Sequence, residues 1–191
     1  LSLNSTGIAL FYDDPTNPKN GTVEVGVIAT NRDMNFYDRI HYIWEQIQTK
    51  VFTQTGRPAS FFIEDYSFGA FGKSSSVTKL SELGGYIKVN LHIHGLCNSI
   101  TLVPATVIKK FICGFGNAKK SDMKLEFFKK YALSYKTDDE VDAHSLLILG
   151  AASLGKDLYT KSWTGYETEC IRKVKGLIYP SATLVDRLSR I

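Results

Sequence analysis

The sequence predicts an α/β fold, a sheet with helices on its faces, and three observations predict it. Short apolar or β-branched runs alternate with longer stretches of helical periodicity. Turn residues punctuate the junctions between them. The resulting order is strands, helix, strand, helix, strand, helices. Gly7 to Tyr12 is a short apolar run closed by Asp13-Asp14-Pro15, and so reads as a strand with a turn after it. Thr22 to Thr30 alternates and is rich in β-branched residues, as the second half of a hairpin would be.

From Asn35 to about Phe52, residues Tyr37, Ile40, Ile43, Trp44, Ile47 and Val51 recur at helical spacing, ahead of Gly56 and Pro58. Ala59 to Ile63 is a buried strand followed at once by Glu64-Asp65. Ser74 to about Asn90 is helical, with Val77, Leu80, Leu83 and Ile87 on one face. Gly84 and Gly85 in its middle cost roughly 1 kcal/mol each against alanine, which predicts close packing against another backbone. Ser99 to Val103 is a further strand, ended by Pro104. Lys119 to about Ala132 and Asp138 to about Leu154 are helices, the first charged and the second more apolar. Trp163 to Ile191 holds one more helix and a polar tail.

At 191 residues the chain is the size of one domain with one core. Apolar residues at 43% and charged residues at 22% exclude a disordered or fibrous chain, and no apolar run approaches the roughly 20 residues needed to cross a bilayer. A soluble protein without membrane attachment is expected, and the first residues do not read as a secretory signal. Cys97, Cys113 and Cys170 are unclustered, which points away from a disulfide framework or zinc site and toward a reducing, cytoplasmic compartment. Two glycosylation sequons, at Asn4 and Asn20, are too short a pattern to carry weight.

The formal charge of +4 is modest support for a polyanionic partner, but its placement says more. Lys109, Lys110, Lys119, Lys120, Lys124, Lys129 and Lys130 crowd one stretch that also holds Gly114-Phe115-Gly116. The run from Gly114 through Asn117 to Lys120 stands just before a helix, where free backbone N–H groups favour an anion. A bare Gly-x-Gly is equally a turn, and any single lysine is equally a solvated helix face.

The carboxylates suggest chemistry. Thr137-x-x-Glu140 is a capping box, which puts Asp139 and Asp142 in the first helical turns on a shared face. Acids gather at helix N-termini because of the macrodipole, yet Asp142 lies among Val141, Ala143, Leu146 and Leu147, on a helix too apolar to be freely solvated. Glu64 follows Phe-Phe-Ile at the C-terminal end of a buried strand, where open α/β sheets place ligands. Together such acids could hold two Mg²⁺ roughly 4 Å apart by hard oxygen ligation, given a further acid on the central strand. His92-x-His94 lacks a third ligand nearby, and His144, two residues after Asp142, points elsewhere on a helix and is left unassigned.

On these residues the chain resembles the RuvC family of Holliday-junction resolvases from residue 1 to about Leu154. The matching pieces are Leu1-Ser2-Leu3-Asn4-Ser5-Thr6-Gly7-Ile8-Ala9, Ile63-Glu64, Gly114-x-Gly116-x-Ala118-x-Lys120-Ser121 and Asp139-x-x-Asp142-Ala143, in family order. The first piece is closest to the bacteriophage-encoded branch. The resemblance implies a ribonuclease H-like mixed sheet of five strands, order 3-2-1-4-5 with the second antiparallel, and helices on both faces. It implies a nuclease domain over residues 1–154 and a C-terminal extension over 155–191, packed on or near it, with no family counterpart.

The activity implied is resolution of four-way and other branched DNA by a homodimer, through Mg²⁺-dependent phosphodiester hydrolysis with Mn²⁺ as substitute and no small-molecule cofactor. Glu64, Asp139 and Asp142 would be the metal ligands, and Lys120 would neutralise charge at the scissile phosphate. Lys109, Lys110, Lys119, Lys124, Asn117 and Phe115 would contact DNA, although Phe115 reads equally as core. Phe68 is the nearest match to the family's junction-wedging aromatic, whose position falls on Ser67.

The family's first-strand aspartate would stand immediately before Leu1, and the expectation is that the sequence begins inside that strand. The apolar face of the Ser74 to Asn90 helix, with its two glycines, is the expected dimer contact. Two other readings stay open: a branched-DNA-binding protein without catalysis, and a small actin-like ATPase suggested by Asn4-Ser5-Thr6-Gly7.

Overall fold

The computed structural model describes residues 3–14, 17–55, 59–65, 74–159 and 162–178. Its elements are β1 (Ser5–Asp14), β2 (Asn17–Ala29), α1 (Phe36–Thr55), β3 (Ala59–Asp65), α2 (Ser74–Ile93), β4 (Cys97–Pro104), α3 (Ala105–Cys113), α4 (Lys120–Tyr131), α5 (Asp138–Ser153) and α6 (Gly165–Lys175). The chain divides into two compact units, one of Leu1–Thr6, Ile28–Leu102 and Ile178–Ile191, the other of Gly7–Val27 and Val103–Leu177. Among the described residues no helix is long and apolar enough to cross a membrane.

Strands β1 and β2 pair. They are antiparallel, because contacts such as Thr30 N–H to the Asn4 carbonyl and Tyr12 hydroxyl to the Glu24 carboxylate keep a nearly constant sum of residue numbers. Strands β3 and β4 also pair. Their first residues lie side by side, with Ala59 N–H donating to the Leu96 carbonyl at 2.8 Å, and helix α2 makes the crossover that a parallel pair requires. The described residues therefore hold four strands in two pairs, where the resemblance implied five. The extended run Asn17–Ala29 is one strand of 13 residues.

In the first unit α1 and α2 pack together, and their apolar stripes are buried: Ile43 and Trp44 on α1, Leu83, Ile87 and Leu91 on α2. This corrects the expected dimer contact. The stripe carrying Leu83 and Ile87 is used by the chain's own core, while Val89 and Ile93, away from that stripe, are exposed, and Tyr86 at its margin reaches His41 of α1. A Cβ on Gly85 would meet nothing within 4 Å, so among the described residues no backbone packs there to offset its cost in helix propensity.

The second unit is a cluster of α3, α4, α5 and α6 around Phe111, Ile112, Phe127, Ile148, Leu149 and Val174. Helix α3 is not among the predicted helices, although Val107, Ile108, Phe111 and Ile112 have the spacing of one buried face and Gly114 stands where a C-terminal cap belongs. Gly114 does cap it, in the left-handed conformation at φ 86°, donating its N–H to the Lys110 carbonyl at 2.8 Å.

Candidate functional site

The site builds from the start of α5. Thr137 accepts the Glu140 N–H at 3.2 Å and donates its own N–H to the Glu140 carboxylate at 2.8 Å, so the predicted capping box fixes where the helix begins. These hydrogen bonds from Thr137 hold the Glu140 carboxyl below the usual range. Asp139 and Asp142 then stand half-buried in the first turns. Strand β1 lies directly on that helix: a Cβ on Gly7 would overlap the Asp139 carbonyl and come within 3.1 Å of the Ala143 Cβ. Only glycine allows this approach, which explains physically why Thr6-Gly7 and Asp139-x-x-Asp142-Ala143 occur together.

The lysines approach the same helix end. Gly116 tucks its backbone against Thr106, whose carbonyl a Cβ would meet at 3.0 Å, and Ala118 is buried just before α4 begins. The Gly114-x-Gly116 motif is thus a cap and a close approach that set the direction of α4. Lys119 donates its N–H to Asp122 at 3.0 Å, which caps α4 and leaves the Lys119 side chain exposed. One turn on, Lys124 Nζ lies 3.0 Å and Lys120 Nζ 3.8 Å from the Asp138 carboxylate, adjacent to Asp139. Lys120 remains 62% exposed, able to exchange this contact for another anion.

The other expected contacts are distributed differently. Asn117 and Phe115 are exposed, so Phe115 is not a core residue, and Lys109 is half-buried. Lys110 donates to both oxygens of Glu169 on α6, at 2.9 and 2.8 Å, which raises its pKa and lowers that of Glu169. Lys130 is structural. Its side chain is 14% exposed, and Nζ meets Glu167 at 2.8 Å, the Tyr166 hydroxyl at 3.0 Å and the Phe111 carbonyl at 3.1 Å. Phe68 lies outside the described residues.

Glu64 is half-buried near the end of β3, in the first unit, while Asp139 and Asp142 belong to the second. Among the described residues no three Asp, Glu, His or Cys side chains converge as metal ligands. What the second unit offers is two hard-oxygen donors three residues apart, suited to a divalent cation of the Mg²⁺ type.

His144 has a clear role that spacing alone could not reveal. It is buried between the Tyr135 hydroxyl, 2.7 Å from Nδ1, and the Tyr159 hydroxyl, 2.8 Å from Nε2, with Phe127 against its ring. Burial pushes its pKa down to about 4, so it is a neutral core histidine at ordinary pH.

Known proteins are similar to this chain in sequence and in fold. The crossover junction endodeoxyribonuclease RuvC of Fusobacterium nucleatum is 28% identical over 144 residues, which cover 73% of this chain and 72% of that protein. Thermus thermophilus RuvC matches with a TM-score of 0.60 at 14% identity, over 94% of this chain and 95% of that one. The same T. thermophilus protein in complex with a Holliday junction substrate matches with a TM-score of 0.58 at 12% identity, over 94% of each chain. No family profile matches the sequence. In sequence and in fold the chain is RuvC-like, with a ribonuclease H-like architecture.

Proposed function

We propose that the protein is a structure-selective endonuclease that resolves four-way and other branched DNA by metal-dependent phosphodiester hydrolysis. One observation carries the reading beyond the likeness to RuvC: β1 at Gly7, the Asp139 to Ala143 turn of α5, and Lys120 and Lys124 of α4 meet at one helix end within one compact unit. A strand, an acidic pair and a mobile cation on a shared edge are the parts that a phosphodiester and a hard divalent ion both need.

Asp139 and Asp142 would hold Mg²⁺, for which Mn²⁺ would substitute. The bound ion would supply an activated water and neutralise charge on the phosphate. Lys120 would leave Asp138 for the scissile phosphate, where its ammonium stabilises the negative charge that grows on the phosphoryl oxygens. Lys109, Lys119, Lys124 and Asn117 would position the backbone, with Phe115, and Phe68 in its own segment, available to stack on bases opened at the branch. A twofold junction calls for a homodimer. The exposed side of α2, with Gly85 beside Val89 and Ile93, suits a second copy.

The test is a synthetic four-way junction presented to the chain with an aspartate added immediately before Leu1. Paired nicks that require Mg²⁺ or Mn²⁺, and that disappear in Asp139→Asn or Asp142→Asn, are expected. Binding of the junction without any cleavage would overturn the nuclease reading in favour of a branched-DNA binder.

A further inference from the structure

Helix α6 is packed into the same unit as the basic segment and shares a surface with it. Lys110, in the last turn of α3, reaches across to Glu169 with two hydrogen bonds. Tyr166, one turn earlier on α6, lies 3.8 Å from where a Gly114 Cβ would stand and accepts a hydrogen bond from Lys130. Glu169 is in turn flanked along its helix by Arg172 and Lys173, near enough to stabilise its charge, and both cations are exposed. One acid thus sits among Lys110, Arg172 and Lys173, beside the Gly114 to Lys120 loop.

A cation in the last turn of a helix is ordinarily stabilised by the macrodipole. That accounts for Arg172, Lys173 and Lys175 one at a time. It does not account for Lys110, from another helix, pairing with an exposed acid that stands one turn before Arg172 and Lys173. We propose that α6 is an ancillary DNA-binding element, in which Lys110, Arg172 and Lys173 grip the phosphodiester backbone of a duplex arm. Glu169 is its intrachain competitor, holding Lys110 until a phosphate replaces the carboxylate. The inference rests on the branched-DNA reading above and adds to it a surface outside the acidic site. Contacts of this kind position the duplex without reading sequence or branching, so they strengthen binding to junction and linear duplex alike.

The experiment measures affinity of the full chain for a four-way junction and for a linear duplex of equal length, in EDTA, across a series of salt concentrations. Each phosphate contact contributes about −0.9 to the slope of log affinity against log salt. Glu169→Gln is expected to tighten both ligands several-fold and to steepen the slope by about one contact. Arg172→Gln with Lys173→Gln is expected to weaken both by roughly ten-fold at low salt and to flatten the slope by about two contacts.

Wild-type affinity and slope in both variants would overturn the proposal and leave the cations to the helix dipole. The Glu169→Gln result alone is decisive should the double variant fold poorly. A wild-type chain that binds neither DNA would instead remove the function on which the proposal rests.

Discussion

The two ends of α4 carry the same residue type in opposite roles. At its start, Lys120 and Lys124 approach Asp138 from solvent, at 3.8 and 3.0 Å, and Lys120 is 62% exposed. At its end, Lys130 is enclosed by Glu167, Tyr166 and the Phe111 carbonyl, and Glu167 is fully buried. Glu167 spends its second oxygen on the Thr164 N–H and hydroxyl, at 2.8 and 2.7 Å, as the capping box of α6. An exposed ion pair contributes little to stability and can be exchanged for a ligand. A buried, fully hydrogen-bonded pair cannot be exchanged without leaving a charge stranded. Position on one helix therefore separates a lysine available for chemistry from one that locks α4 to α6.

The largest effect should come from breaking the locked end. Glu167→Ala leaves the Lys130 ammonium buried without its partner and removes the α6 cap, and a loss of about 3–5 kcal/mol is expected in urea unfolding. Replacing both partners with apolar residues, as in Lys130→Met with Glu167→Leu, should recover part of that loss. A Glu167→Ala chain as stable as the parent would mean that the pair is exposed in solution.

At the open end Lys120→Ala should slow junction cleavage by on the order of 10²–10³ while leaving the melting temperature unchanged. An equal loss of stability would place Lys120 among the structural lysines.

Between the two ends, Phe127 of α4 rests on His144, which provides a pH-dependent probe of the same packing. The folded imidazole titrates near 4 and the unfolded one near 6.5. The unfolded chain thus binds the proton first as pH falls. Stability from this residue is complete above pH 6.5 and is lost between 6.5 and 4, by on the order of 3 kcal/mol. Unfolding curves at pH 7.5 and pH 5 should show that decline in the parent and a smaller one in His144→Phe. The smallest effect belongs to Lys124→Ala: less than about 1 kcal/mol of stability, with a measurable drop in DNA affinity.

Much of the architecture was legible because periodicity and caps are local. The helix predicted from Ser74 to about Asn90 runs to Ile93, and the capping box at Thr137 places α5 at Asp138 as expected. Helix α3 is less legible because it is only nine residues long and follows Pro104 directly, where a strand ending is the more conspicuous signal. The acidic pair was legible from its i, i+3 spacing, and Gly7 from its motif. That these two touch depends on a fold that brings residues 7 and 139 together, which no spacing encodes.

By itself, then, the sequence determined most of the strands and helices, α3 excepted, where α5 starts, and that acids and lysines of the right kinds are present, since each of these depends on residues within a turn or two. Only the tertiary structure decided which lysines are free to act, that His144 is a neutral core residue, and that the exposed face of α2 is the one opposite its main apolar stripe. Those outcomes are set by burial and by partners far away in the chain. A charge or an aromatic ring acquires its role from the dielectric and the neighbours that folding gives it.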